Sequence, residues 1–268
     1  TSDGNIGIDT SSTLIATDVV AGCAGEVVLT SSAGSIAVGE IVATGNAVTL
    51  TATAGAITDG NGGTTNVTAT SLNATSATGT TLDTAIASLD ASVTGVGAID
   101  IDNSSAALTL ADVDTVNGNI TIDTSGDLIA TDVDAGGNRN VILTSAIGDI
   151  AVGTVTATDN TVTLTATSGA ITDDHVAATN VTAASLTATA ATGINFDTAI
   201  ASLDASVTGA GGIDIDNTGA TLALTDVDTV NGSIDIGTSG TLAASDVVAG
   251  GAGDVILAAA GAITVGMV

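Results

Sequence analysis

Gly118-Asn119-Ile120-Thr121-Ile122-Asp123-Thr124 is the stretch whose reading decides the fold. Two aliphatic side chains stand two positions apart behind a Gly-Asn corner, with polar residues between and after them. Alternate residues of a strand point to opposite faces, so this is a strand with one dry side and one wet side. The phrase has an earlier counterpart in Ile99-Asp100-Ile101-Asp102 and a later one in Val141-Ile142-Leu143-Thr144, at equal steps of 21. The same rule then gives Val162/Leu164, Val181/Ala183, Ile194/Phe196 and Ile213/Ile215, at steps of 21, 19, 13 and 19. Taken as one column, these are rungs of about 19–21 residues, with the boundary near Val181 out of step. Each rung holds a second extended run, such as Ala107-Leu108-Thr109-Leu110 or Asp149-Ile150-Ala151-Val152, and Gly, Asn, Asp and Ser fill the corners. Units this short cannot be βαβ crossovers, which need about 30 residues. The β-branched runs and frequent Gly also disfavour helix.

A longer period overlies the short one. Thr84-Ala-Ile-Ala-Ser-Leu-Asp-Ala-Ser-Val-Thr-Gly95 returns unchanged at Thr198–Gly209, Asp112-Val-Asp-Thr-Val-Asn-Gly118 returns at Asp226–Gly232, and Ile8-Asp9-Thr10 returns at Ile122–Thr124, always 114 positions on. Fixed-period self-similarity marks a solenoid. The expected fold is therefore all-β: a right-handed parallel β-helix, read as a single continuous solenoid over 1–268. Its 114-residue super-repeats run approximately over 1–98 (partial), 99–212 and 213–268 (partial). The chain starts and stops in mid-repeat and reads as a piece of a longer array. A sandwich of short strands would explain the alternation but not the regular spacing or the absence of Pro.

Composition narrows the function. Against 29 acidic residues there is one basic residue, Arg139, for a net charge of −28. Nucleic acid is excluded as a natural partner, since phosphate binding needs clustered Lys and Arg, and docking on anionic membranes is disfavoured. With 44% hydrophobic residues and a mean hydropathy of +0.57, the chain is too apolar for an acidic disordered segment. No apolar run reaches the roughly 18 residues of a membrane span. Cys23 is the only cysteine, so no intrachain disulfide forms. β-Helices also carry polysaccharide lyases and hydrolases, but those sites use raised-pKa carboxylate pairs or a basic residue, with aromatic platforms for sugars. This chain has no Lys, Trp or Tyr, and its Asp residues recur with the repeat, so the expectation is a protein that is not an enzyme and requires no cofactor.

Thr198-Ala-Ile-Ala-Ser-Leu-Asp-Ala-Ser-Val-Thr-Gly-Ala-Gly-Gly-Ile213, Gly118-Asn-Ile-Thr-Ile-Asp-Thr124 and Thr163-Leu-Thr-Ala-Thr-Ser-Gly-Ala-Ile171 resemble the repeat region of filamentous haemagglutinin-like adhesins. The resemblance extends over essentially the whole chain. It implies a right-handed parallel β-helix within a very large secreted or cell-surface bacterial protein that works as an adhesin or as a stalk for distal domains. The near absence of Lys and Arg departs from that pattern and weighs against heparin-type binding.

Stacked acid is the sharpest local feature. Asp83, Asp102 and Asp123 follow one another at steps of 19 and 21 and should stand above one another; Asp112 and Asp114 are followed one rung later by Asp132 and Asp134. Like charges stacked in this way repel. A solvated acidic face is one reading. The other is Ca²⁺ bridging, since a hard cation held by carboxylate and carbonyl oxygens would relieve the repulsion. No Gly-Gly-x-Gly-x-Asp calcium nonapeptide occurs. The Thr-x-Thr runs at Thr49–Thr53 and Thr161–Thr167 suggest a flat ice-binding face, but with Asp100/Asp102, Thr121/Asp123 and Ile142/Thr144 as neighbouring rungs they read as ordinary strand surface. His175 replaces Asn61 of the preceding copy, Cys23 aligns with Gly137 and Gly251, and Phe196 replaces Leu82; these read as two corner residues and a packing residue. Sequons at Asn66, Asn73, Asn103, Asn119, Asn180 and Asn231 read as chance matches in an Asn- and Thr-rich chain. The expected role is a structural rod at the cell surface or outside the cell, continuing end to end in the same chain or as a homo-oligomer. The alternatives are a Ca²⁺-dependent self-associating or carbohydrate-binding adhesive module and, remotely, a polysaccharide-processing enzyme.

Overall fold

A computed structural model describes residues 4–22, 25–174 and 179–268. Among the described residues every regular element is a strand, 24 in all, and every resolved pairing is parallel. The chain is a parallel β-solenoid, in keeping with the right-handed parallel β-helix that the repeat implies. It divides into two compact units, Thr1–Gly126 with Asp132–Gly137, and Asp127–Thr131 with Asn138–Val268.

Two long ladders build the first unit. One sets Ile6, Val27, Val48, Leu72, Leu89 and Leu110 in register from turn to turn. The other sets Leu14, Ile36, Ile57, Thr80, Ile99 and Ile120 in register. A short third ladder joins Val19, Ile41, Val67 and Thr84. The inward side chains are dry: Val27, Val48, Leu89, Ile99 and Ile120 are all 0% exposed. Each turn therefore lays aliphatic carbon on aliphatic carbon at the strand spacing of about 4.8 Å, and burial of that surface is the main stabilising term.

The second unit repeats this plan 114 positions on. Val141, Val162, Leu186, Leu203 and Leu224 form one ladder, and Ile150, Ile171, Ile194, Ile213 and Ile234 the other. Val155, Val181 and Thr198 make its short third ladder. This corrects the single-column reading of the sequence. Leu186, not Val181, stands over Val162, while Ile194 and Ile213 belong with Ile171 on another ladder. The step of 13 was a jump between ladders, possible because every inward-facing strand carries the same two-apart aliphatic pair. Turn length alternates around its mean at this place. The step from Val48 to Leu72 is 24 and the step from Leu72 to Leu89 only 17, and Val162, Leu186 and Leu203 repeat that pair of values.

Two buried asparagines hold these wide turns. Asn66 is 0% exposed, and its Nδ2 donates to the carbonyls of Val38 (2.8 Å) and Gly39 (3.2 Å) and to Asp59 Oδ1 (2.8 Å), while its Oδ1 accepts from Asp83 N at 2.8 Å. Asn180 repeats the arrangement with Val152, Gly153, Asp173 and Asp197. A buried amide is tolerated only when its donors and acceptor are paired, as both are here. Phe196 is 2% exposed in the interior over Ile171's strand and beneath Ile215, as a packing residue should be. In the last turn, Ile263, Val265 and Met267 are 44%, 51% and 61% exposed, whereas Ile234 and Ile236 are fully covered.

Candidate functional site: the outward ladders

Outward positions inherit the interior register. Asp83, Asp102 and Asp123 stand in one line, flanked on the same face by Thr81, Asp100 and Thr121. Asp112 pairs with Asp90, and Asp114 lies within electrostatic reach of Asp112, Asp134 and Asp90, its Oδ2 accepting from Ser92 Oγ at 3.2 Å. Asp132 and Asp134 lie on Asp127–Ala135, both exposed, with Val133 buried between them. The structure thus brings Asp83, Asp102 and Asp123 together as the spacing predicts, and Asp112, Asp114 and Asp134 together as a second acidic patch.

The electrostatic consequence has one sign. Partial burial, then repulsion from Asp123, Asp83 and Asp100, pushes the Asp102 carboxyl above its ordinary pKa. Burial followed by neighbouring carboxylates does the same to Asp90, Asp100 and Asp134, and in the second unit to Asp197, Asp204 and Asp214. Asp114 is raised too, burial outweighing the hydrogen bond from Ser92. These acids resist ionisation because both causes penalise the charged form. Asp59 is the opposite case. Hydrogen bonds from Asn66 Nδ2 and from the backbone N–H groups of Asn61, Gly62 and Gly63 hold it down to about 2. Among the described residues, no group of three or more His, Cys, Asp or Glu side chains converges closely enough to enclose a metal ion.

A second outward face is uncharged. In the second unit Thr163 and Thr165 lie between Ile142/Thr144 on one side and Thr187/Thr189 on the other, with Thr161 beside Ser185 and their hydroxyls 2.8 Å apart. In the first unit Thr49 and Thr51 lie between Val28/Thr30 and Asn73/Thr75. The turn beside Thr163 and Thr165 carries Ile142 and Thr144, as the spacing predicts. The hydroxyl face gives way to acid two turns away, at Asp9 and Asp90 in the first unit and at Asp204 in the second. A shallow groove in the second unit is floored at Gly193 and Gly212 and edged by Asp214 and Asp235.

The sequons separate by environment. Asn66, Asn103 and Asn180 are buried, whereas Asn73, Asn119 and Asn231 are exposed. Sequence reasoning missed the bracing role of Asn66 and Asn180. The signal available was an Asp-x₆-Asn spacing, Asp59 to Asn66 and Asp173 to Asn180, preserved across the 114-residue offset. Cys23 and His175 lie outside the described residues. Comparison with known proteins returned no matching family model, no similar characterised protein and no similar solved structure.

Proposed function

We propose that this chain is a structural rod segment of a secreted or cell-surface repetitive protein, of the kind filamentous haemagglutinin-like adhesins use as stalks or extracellular filaments use as bodies. The observation that carries the reading is the pair of inward, largely aliphatic ladders in each unit, with identical registers at the 114-residue offset. Such a ladder stiffens a chain along its axis, because every turn is bonded to the next by a full row of parallel backbone hydrogen bonds. Negative-stain imaging and small-angle scattering test the reading. Elongated particles that lengthen in proportion to the number of 114-residue repeats are expected, and a compact particle whose maximum dimension ignores repeat number would defeat it.

A second reading, adhesion to neutral carbohydrate, is favoured by the uncharged hydroxyl face of Thr161, Thr163, Thr165, Ser185, Thr187 and Thr189. It predicts retardation in gels containing a neutral polysaccharide and loss of that retardation in Thr163→Val/Thr187→Val.

A further inference from the structure

Asn-Gly occurs three times in the chain, at Asn61-Gly62, Asn117-Gly118 and Asn231-Gly232. The three differ in how the structure holds them. Asn117 and Asn231 end the strands Ala107–Asn117 and Thr221–Asn231, their carbonyls accept from Gly97 N (3.3 Å) and Gly211 N (3.1 Å), and Thr115 Oγ1 and Thr229 Oγ1 each donate at 2.6 Å to the carbonyl of the following glycine. Gly118 and Gly232 are packed so closely that a Cβ on either would run into the carbonyl of Gly97 or Gly211. The peptide after these asparagines is held on both sides by hydrogen bonds and by the close approach of the neighbouring turn. Asn61 and Gly62 are exposed on the wide turn; Gly62 has φ 67°, and there is open space around the place where its Cβ would lie.

The groups around Asn61 are also arranged for chemistry. Gly62 N–H donates to both carboxylate oxygens of Asp59 at 3.0 Å, Asn66 Nδ2 donates to Asn61 Oδ1 at 3.0 Å, and Asn61 Nδ2 donates to the Gly39 carbonyl at 2.6 Å, so the side-chain amide is held at both ends while its main chain stays exposed. We propose that Asn61 is a self-modification site at which the chain converts its own asparagine, by way of a cyclic imide, to a mixture of aspartate and isoaspartate. The main-chain nitrogen of Gly62 attacks Asn61 Cγ, forming an N–Cγ bond, and its proton passes to Asp59. Oδ1 gathers negative charge, which the Asn66 N–H stabilises as a positioned donor does. The Cγ–Nδ2 bond then breaks and the nitrogen leaves as ammonia, taking back one proton. Water, the only co-reactant, opens the imide at either carbonyl.

The product matters because of where it forms. A new carboxylate appears beside Asp59, and isoaspartate adds a methylene to the main chain of a turn that Asn66 anchors in the interior. The equivalent position of the second copy is His175, so the modification marks one copy and spares the other.

Peptide mapping by mass spectrometry of the folded chain, incubated in mildly alkaline buffer, tests the proposal against a denatured sample. In denaturant all three sites convert alike. In the folded chain Asn61 keeps converting while Asn117 and Asn231 fall behind by about tenfold or more; equal protection of all three sites would overturn the proposal. Asp59→Ser, which creates no new Asn-Gly pair, is expected to slow the Asn61 reaction by about tenfold, less than the usual contribution of a positioned base because so acidic a carboxylate is a weak one. An undiminished rate in that variant, with its circular dichroism unchanged, would overturn the role given to Asp59.

Discussion

Ile120-Thr-Ile-Asp-Thr124 in the first unit and Ile234-Asp-Ile-Gly-Thr238 in the second are the same strand of the same repeat. Inward they agree: Ile120, Ile122, Ile234 and Ile236 are all 0% exposed. Outward they have exchanged places. In the first unit the acid sits at Asp123, in line with Asp102 and Asp83, and Asp100 is flanked by Thr81 and Thr121. In the second unit the acid sits at Asp235, in line with Asp214, and Gly237 faces Asp216. The interior fixes which residue lies over which; at this one strand the exterior keeps its charge without keeping its position, although Asp83, Asp100 and Asp102 return in place as Asp197, Asp214 and Asp216. A chelate common to both copies would tie them to one geometry, whereas a solvated acidic surface imposes no such tie.

The largest effect should come from the part that agrees. Leu89→Ala and Leu203→Ala each open a cavity at a fully buried ladder position and should cost about 2–5 kcal/mol, equally in both copies within error. Chemical denaturation checks this, and a cost in one copy only would break the equivalence of the ladders. Next come the braces. Asn66→Ala strands Asp83 N, at about 1–3 kcal/mol for a buried group left unpaired, while the Val38 and Gly39 carbonyls keep the Gly60 N–H and Asn61 Nδ2. Asn180→Ala should match it. In the first unit the same change should also raise the Asp59 pKa from about 2, because Asn66 is the largest cause of its depression.

How much of this was legible follows from the range of the forces involved. The inward strands were readable because alternation is local and repeats at every turn, so Asp83, Asp102 and Asp123 could be set in line from spacing alone. Membership of a ladder was not readable across the wide turn. Val181-Thr182-Ala183 has the same two-apart pattern as a main rung, and only the long turn before Leu186 and the short one after it show that Leu186 takes the place over Val162. Asn66 and Asn180 read only as chance sequons, because the carbonyls that pair them in the interior lie 27 and 28 positions earlier in the chain. No local pattern encodes that contact.

Acidification should first stabilise both copies, and a second, opposite stage follows from Asp59 in the first unit. Asp90, Asp100, Asp102, Asp114 and Asp134 in the first unit and Asp197, Asp204 and Asp214 in the second have folded pKa values above 3.8. Their ionisation opposes the fold at neutral pH. As pH falls through the folded values, the folded state takes up protons before the unfolded chain does, and stability rises. Below 3.8 the Asp59 contribution reverses the trend, since its folded value is about 2 and the unfolded chain then binds the proton first. The melting temperature should therefore climb from neutral pH toward the mildly acidic range and fall beyond it. Added salt at neutral pH should reproduce the climb by screening. A melting temperature that falls monotonically from neutrality would contradict the stacked-acid account.

The smallest effect comes from swapping the outward residues themselves. Asp123→Gly removes one member of the Asp83–Asp102–Asp123 line, and Gly237→Asp places a carboxylate in register with Asp216. Like charges directly opposed cost about 0.2–1 kcal/mol per pair, so relief of that repulsion offsets part of the strand propensity lost in the first variant, while the added pair works against the propensity gained in the second. Salt separates the electrostatic part from the backbone part. The stability gap between wild type and Asp123→Gly should shift in favour of wild type as salt rises, and Gly237→Asp should gain from salt more than its parent does. Calcium sharpens the test. If a cation bridges the line through Asp102, then calcium raises the melting temperature of the parent, chelation lowers it, and Asp123→Gly loses both responses. If the line is only a solvated face, calcium acts no differently from magnesium at equal ionic strength, and the two copies differ in sequence without differing in kind.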